Sequence, residues 1–159
     1  MNVFDDYTRQ LLTTLNSKKV EYLVVGGYAV NYHGYRRTTG DIDIWIKPDN
    51  GINKQQLIDC LHILNVEQGK LNVLKEWDFS KPVVFIDGEA PFKIDFMTYV
   101  TGVEFKEAYT QKVVAELDGI EIPFINFQHL VKSKFSTSRT KDKMDIEMLL
   151  KIKQMKGKG

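Results

Sequence analysis

Three aspartates and a pair of glycines are the residues of this chain best suited to chemistry. Asp41 and Asp43 stand two apart in the run Asp41-Ile-Asp-Ile-Trp-Ile46, and Asp95 lies in a later alternating run, Phe92–Val100. Successive side chains of a strand point to opposite faces. Asp41 and Asp43 therefore share one face, and Ile42, Ile44 and Ile46 share the other. Like charges side by side on a sheet repel, so the pattern is best satisfied by a cation between the carboxylates. Carboxylate oxygens suit Mg²⁺ (or Mn²⁺), whose shell is commonly completed by water and substrate phosphates. Asp41, Asp43 and Asp95 are thus candidate metal ligands. Gly26-Gly27 ends an earlier apolar run. Glycine lets the backbone turn sharply and approach a ligand closely. A helix begun there aims free N–H groups at whatever the glycines touch, a geometry that suits phosphate.

These residues need elements to hold them. Val20–Val25 is rich in β-branched residues and reads as a strand. Tyr28–His33 reads as a short helix ended by Gly34, and Asp41–Ile46 as the second strand. Before them, residues 3–17 place Phe4, Tyr7, Leu11, Leu12 and Leu15 at helical spacing. After them, residues 53–66 form a helix whose buried stripe is Leu57, Ile58, Leu61 and Leu64. Residues 67–79 give no clear period; a short strand near Leu71–Leu74 is the expectation there. Val83–Ile86 and Phe92–Val100 read as a hairpin, with Asp95 on the face of its second strand opposite Ile94 and Phe96. Residues 103–110 suit a short helix. Asp118-Gly119 is a two-residue hairpin turn between Lys112–Leu117 and Ile120–Ile125. Asn126 is a good N-cap for a helix carrying Phe127, Leu130, Val131 and Phe135. A last helix, about 140–156, has Met144, Met148, Leu149 and Ile152 inward. The order predicts an α+β fold, a mixed sheet with helices packed mainly on one face.

Composition narrows the class. At 159 residues one domain is expected, with a core over about 20–125 and C-terminal helices over about 126–156. With 22 basic and 21 acidic side chains the net charge is +1, so charge balance does not indicate nucleic acid or an anionic membrane. Cys60 is alone, so no disulfide forms within the chain, and a reducing cytoplasm is expected. No run reaches transmembrane length. No Cys/His spacing suggests zinc. His33, His62 and His129 read as packing or surface residues, and Trp45 as packing rather than a stacking platform for a base.

Taken together, the motifs resemble the polymerase-β-like nucleotidyltransferase superfamily, and within it the small stand-alone prokaryotic, antitoxin-like members. The segments that carry the resemblance are Gly26-Gly-Tyr-Ala29 with His33-Gly34, Arg37-Thr-Thr39-Gly-Asp41-Ile-Asp43, and Leu130-Val-Lys-Ser-Lys134 with Arg139-Thr-Lys141-Asp142-Lys-Met-Asp145. It spans residues 20–150. It implies a metal-dependent transfer of an NMP from an NTP to a hydroxyl, with release of pyrophosphate. Asp41, Asp43 and Asp95 would be the catalytic metal ligands. Gly26, Gly27, Arg37, Thr39, Lys134, Arg139 and Lys141 would bind the nucleotide. Lys134 and Arg139 read equally well as ion-pair partners of Asp142, and Arg37 as a partner of Asp142 or Asp145. The acceptor could be a protein side chain, an RNA end or a small molecule. Small members often act beside a helical partner protein in toxin–antitoxin pairs, so the alternative expectation is a non-catalytic or antitoxin-type binding module on the same fold.

Overall fold

The computed structural model describes residues 3–35, 40–89, 93–137 and 139–157. Helix α1 (Asp6–Ser17) opens on Asp5, whose carboxylate accepts from the Thr8 backbone N–H at 2.8 Å. Such a cap satisfies a donor the helix leaves unpaired. Leu11, Leu12 and Leu15 on its inner face are fully buried. Strand β1 (Tyr22–Val25) runs directly into α2 (Gly26–Tyr32). β2 (Ile42–Ile46), α3 (Ile52–Ile63), α4 (Gln68–Glu76), β3 (Val84–Asp87) and β4 (Ile94–Met97) follow. The chain continues through α5 (Phe105–Thr110), β5 (Val113–Leu117), β6 (Ile120–Phe124), α6 (Phe127–Phe135) and α7 (Thr140–Gly157).

The six strands form one sheet in the order β3-β4-β2-β1-β6-β5. β2 pairs parallel with β4, and β1 with β6; the other neighbours are antiparallel. The fold is therefore α+β with a mixed sheet. Registers sort the side chains into two faces. One carries Tyr22, Val24, Ile44, Phe96, Ile122 and Phe124, all buried. Tyr32 of α2 stacks on Phe124 with ring centroids 4.4 Å apart, and Phe85 lies on Phe96 at 4.8 Å. The other face carries Asp43, Trp45 and Asp95, and its outer strands leave Val84, Ile86 and Val114 about half exposed or more. On this face α5 covers the middle: Phe105 meets Trp45 edge-on at 5.2 Å.

Two expectations change. Residues 68–76 are helix α4, not a strand. Leu71 and Leu74 are both buried while Val73 is 47% exposed, a three-residue period that a strand cannot give. The helix end is held from elsewhere: the buried Lys54 ammonium of α3 donates to the carbonyls of Lys75 at 3.0 Å and Trp77 at 2.5 Å. The second change concerns the C-terminal helices. Met144, expected inward, is 55% exposed, and Phe135 at the end of α6 is 64% exposed. The inner faces hold Lys134 on α6 and Asp142, Asp145, Ile146 and Leu149 on α7, of which Leu149 alone is among the residues expected inward. That set follows the spacing i, i+3, i+4, i+7 of a buried stripe, with two aspartates in it.

Turn chemistry accounts for the β5–β6 hairpin. Asp118 and Gly119 both have positive φ, 53° and 77°, as a type I′ turn requires. The Asp118 carboxylate also accepts from the backbone N–H groups of Val3 and Phe4, both at 3.0 Å, and so ties down the chain before α1.

Candidate active site

Asp43 and Asp95 are direct neighbours across the parallel β2–β4 pair and project from the same face. Antiparallel β1 brings Val25 opposite Asp43 on the other side, so the chain leaves β1 at Gly26 beside that carboxylate. Gly26 has φ +64°, and a Cβ built on it would lie 2.0 Å from Asp43 Oδ2. Both the backbone angle and the contact demand glycine there. No side chain caps the N-terminus of α2, which starts at this residue. Gly27 is the second residue of that helix and is buried.

The electrostatics of the pair are unfavourable without a counter-charge. Burial pushes the Asp43 carboxyl up to about 7 from its ordinary 3.8; the Asp95 charge, a hydrogen bond with Asp95 and the Asp41 charge add to the rise. Two carboxyl groups this close do not both ionise readily. Lys141, at the start of α7, acts in the opposite direction on Asp43. Asp95 Oδ1 is buried and has no hydrogen-bond partner. A buried acceptor left alone is expensive. Asp41 is held differently: its Oδ2 lies 3.2 Å from the Lys93 ammonium. That contact follows from the same register, since Lys93 precedes Asp95 by two residues as Asp41 precedes Asp43. The sequence carried this signal, but only the parallel pairing makes it readable. Among the described residues, no group of three or more His, Cys, Asp or Glu side chains lies close enough together to hold a metal ion. The lone oxygen of Asp95 beside Asp43 is nonetheless the kind of donor set a hard divalent cation takes.

The other expected site residues fall in three places. Arg37 and Thr39 lie outside the described residues. Lys141 is exposed at the rim of the acidic face. Lys134 and Arg139 are engaged elsewhere. The Lys134 ammonium is buried, donating to Asp142 Oδ1 at 2.9 Å and standing 3.0 Å from Asp145 Oδ2. Arg139 Nε donates to Asp142 Oδ2 at 2.8 Å, and Thr137 Oγ1 donates to the same oxygen at 2.6 Å. Burial alone would raise the Asp142 carboxyl, but these three donors bring it down to about 2. Lys134 is thus the centre of a buried ion cluster that joins α6 to α7. Arg139 keeps a side chain that is 73% exposed. His33 Nε2–H donates to the Ile125 carbonyl at 2.8 Å, a packing role. Trp45 is 1% exposed, in the core.

A mixed sheet with paired strand carboxylates next to a glycine turn defines a nucleotidyltransferase-type protein. The match to a family model described as "Nucleotidyltransferase of unknown function (DUF6036)" covers residues 2–156. The chain belongs to that family. No curated protein matches the sequence. Solved structures share the fold. A lincosamide antibiotic adenylyltransferase, LnuA, bound to lincomycin, is 17% identical with a TM-score of 0.55, over 96% of this chain and 99% of that one. The antibiotic-resistance factor ANT(2'')-Ia, in its solution structure, is 14% identical with a TM-score of 0.53, over 90% of this chain and 80% of that one. A crystal structure of ANT(2")-Ia with adenylyl-2"-tobramycin gives 12% identity and a TM-score of 0.52, over 89% and 84%. Among the described residues no helix is long and apolar enough to cross a membrane.

Proposed function

We propose that this nucleotidyltransferase moves an NMP from an NTP to a hydroxyl of a small-molecule acceptor, at the face bearing Asp43 and Asp95. The observation that supports the reading most is the direct pairing of these two carboxylates beside Gly26. Asp43 and Asp95, with Asp41 released from Lys93, would hold a divalent cation, Mg²⁺ or Mn²⁺, which would neutralise charge on the triphosphate. The backbone at Gly26 and Gly27 would approach the phosphates, and Lys141 would add positive charge at the rim. Arg37 and Thr39 precede the aspartates in sequence and would join the nucleotide site. Arg139 would offer its exposed guanidinium edge. Asp95 Oδ1, free of other bonds, would take the proton of the attacking hydroxyl. The new bond joins that oxygen to the α-phosphorus, the bond to the bridging oxygen breaks in line, and pyrophosphate leaves with the electron pair. Such transfer rests mainly on positioning and charge neutralisation. The likeness to LnuA and ANT(2'')-Ia supports the small-molecule class of acceptor.

The test is turnover of α-labelled ATP, and of each other NTP, by the purified chain with Mg²⁺ and a panel of lincosamide and aminoglycoside acceptors. Label should move to an acceptor, and Asp43→Ala should lower the rate by about 10²-fold or more while the chain stays folded. A biological activity that survives Asp43→Ala unchanged would favour the antitoxin-type binding module instead.

A further inference from the structure

A lysine stands among the carboxylates of the acidic face. The register that sets Asp95 opposite Asp43 sets Ile94 opposite Ile42, so one residue further back Lys93 stands beside Asp41. Strand alternation puts Lys93 on the same face as Asp95, two residues on. The four side chains form a rectangle. Two carboxyl groups that repel are at one end. A carboxylate and an ammonium are at the other, with Asp41 Oδ2 and Lys93 Nζ 3.2 Å apart. The hydrogen bond to Asp41 first, and then the charges of Asp95, Asp41 and Asp43, hold the Lys93 proton above the usual lysine range. Lys93 is therefore a counter-charge for all three aspartates and not for Asp41 alone.

This ion pair is open to exchange. The side chains of Lys93 and Asp41 are 32% and 27% exposed, and a pair that reaches solvent is weak. Lys134 is the contrast: its ammonium is buried between Asp142 and Asp145, where leaving would strand charge. Lysine is a compact charge on a flexible four-carbon stem, so it can change partners while its backbone stays put. The backbone here is fixed, since β4 pairs with β2 on one side and β3 on the other. Charge balance then says where the ammonium goes. Once Asp41 binds the metal ion of a metal–nucleotide complex, a second cation on the same carboxylate is repelled. The negative charge that arrives with the complex is its triphosphate, and a lysine serves phosphate as a point charge.

We propose that Lys93 is a nucleotide-binding residue of this site: without nucleotide it neutralises Asp41, and when Asp41 binds the metal ion it turns to the triphosphate. The inference rests on the nucleotidyltransferase reading of the acidic face. Without nucleotide, Lys93 competes with a divalent cation for Asp41. With nucleotide, it adds a charge-assisted contact to a phosphate oxygen. Removing its charge therefore moves the two affinities in opposite directions, which a lysine that only pairs with Asp41 would not do.

Lys93→Met keeps an apolar stem and removes the charge, whereas Lys93→Arg keeps the charge. Two titrations of the full chain read the outcome. The first is Mn²⁺ without nucleotide, followed by the electron paramagnetic resonance of the free ion. The second, at saturating Mg²⁺, is calorimetry with the α,β-methylene analogues of ATP, GTP, CTP and UTP, which cannot release pyrophosphate. Lys93→Met should bind Mn²⁺ about twofold to fivefold more tightly than the natural chain. It should bind the preferred analogue about tenfold or more weakly, and Lys93→Arg should recover most of that loss. Equal Mn²⁺ affinity in the natural and Lys93→Met chains would mean that Lys93 does not contest Asp41. An analogue bound by Lys93→Met as tightly as by the natural chain, or more so, would mean that Lys93 never reaches the phosphates. Either result overturns the proposal and leaves the nucleotidyltransferase reading standing. If the natural and Lys93→Met chains bind neither Mn²⁺ nor any analogue, that reading falls and the proposal falls with it.

Discussion

Asp43 is lifted by burial first, and then by the charges of Asp95 and Asp41, to about 7. An unfolded chain releases this proton near the ordinary value of 3.8. Between the two values the folded protein holds a proton that the unfolded chain has lost. The contribution to stability is therefore complete below about pH 4 and is lost as pH rises through about 7. At about 1.4 kcal/mol per pH unit, and with solvent still reaching this half-buried group, the loss should be about 2–4 kcal/mol. Denaturant titrations of metal-free protein at pH 4 and pH 8 should show it for the natural chain. Asp43→Asn should lose far less across the same window, and equal losses would mean that Asp43 is not strained. Gly26 is the second sensitive residue. Gly26→Ala must accept a positive φ and a clash with Asp43 Oδ2. It should lose about 2 kcal/mol or more of stability, and NTP turnover with it. Gly27→Ala, inside α2, is the comparison variant, since its φ is not among the positive ones. Much of this site was legible in the sequence, because a two-residue period fixes which side chains share a face whatever the partner strand. The Asp41–Lys93 contact was not, because it depends on a strand register that no local pattern encodes.

At the scale of elements, the α6–α7 junction is the feature that hydrophobic periodicity misreads. A stripe sought among apolar residues selects Met144, Met148, Leu149 and Ile152; the real one shares Leu149 and otherwise runs through Asp142, Asp145 and Ile146. Lys134 supplies the counter-charge that lets two aspartates take core positions. Once Lys134 faces inward, Phe135 is carried about 100° around the helix and outward. α4 was missed for a related reason, since its nine residues offer only two buried leucines and its C-terminal carbonyls are held by Lys54 from another helix. Breaking the cluster from one side strands buried charge. Lys134→Ala should therefore cost about 3–5 kcal/mol, measured by urea unfolding, whereas Lys132→Ala on the exposed side of α6 should cost under about 0.5 kcal/mol. The same cluster sets an acid limit. Asp142 sits at about 2 because the donors from Thr137, Lys134 and Arg139 outweigh its burial. Its contribution is present above the ordinary carboxylate range and is lost as pH falls from about 4 to about 2, the opposite sense to Asp43. A chain whose Lys134→Ala variant keeps its full acid resistance would place that stability elsewhere.

For the molecule as a whole, the α+β class followed from element order, whereas strand order β3-β4-β2-β1-β6-β5 did not. Two parallel pairings join strands distant in sequence, β2 to β4 and β1 to β6. The first of these is what sets Asp95 beside Asp43, so topology and chemistry are one fact here. The sheet core is bonded and packed, yet it ends in two carboxyl groups that repel, one of them with an orphaned oxygen. A ligand that binds only the folded state stabilises it by mass action, about 2.7 kcal/mol at a hundredfold excess over Kd. For a chain of this length each kcal/mol moves the midpoint by about 2–4 °C. If Asp43 and Asp95 hold a divalent cation, saturating Mg²⁺ or Mn²⁺ should raise the thermal midpoint by about 5–10 °C at pH 8, and chelation should reverse it. The double variant Asp43→Asn/Asp95→Asn should melt higher than the metal-free natural chain, since repulsion is gone, and should no longer respond to either ion. Identical melting of the natural chain with Mg²⁺, with Mn²⁺ and with chelator would leave the paired carboxylates without the counter-charge that their burial requires.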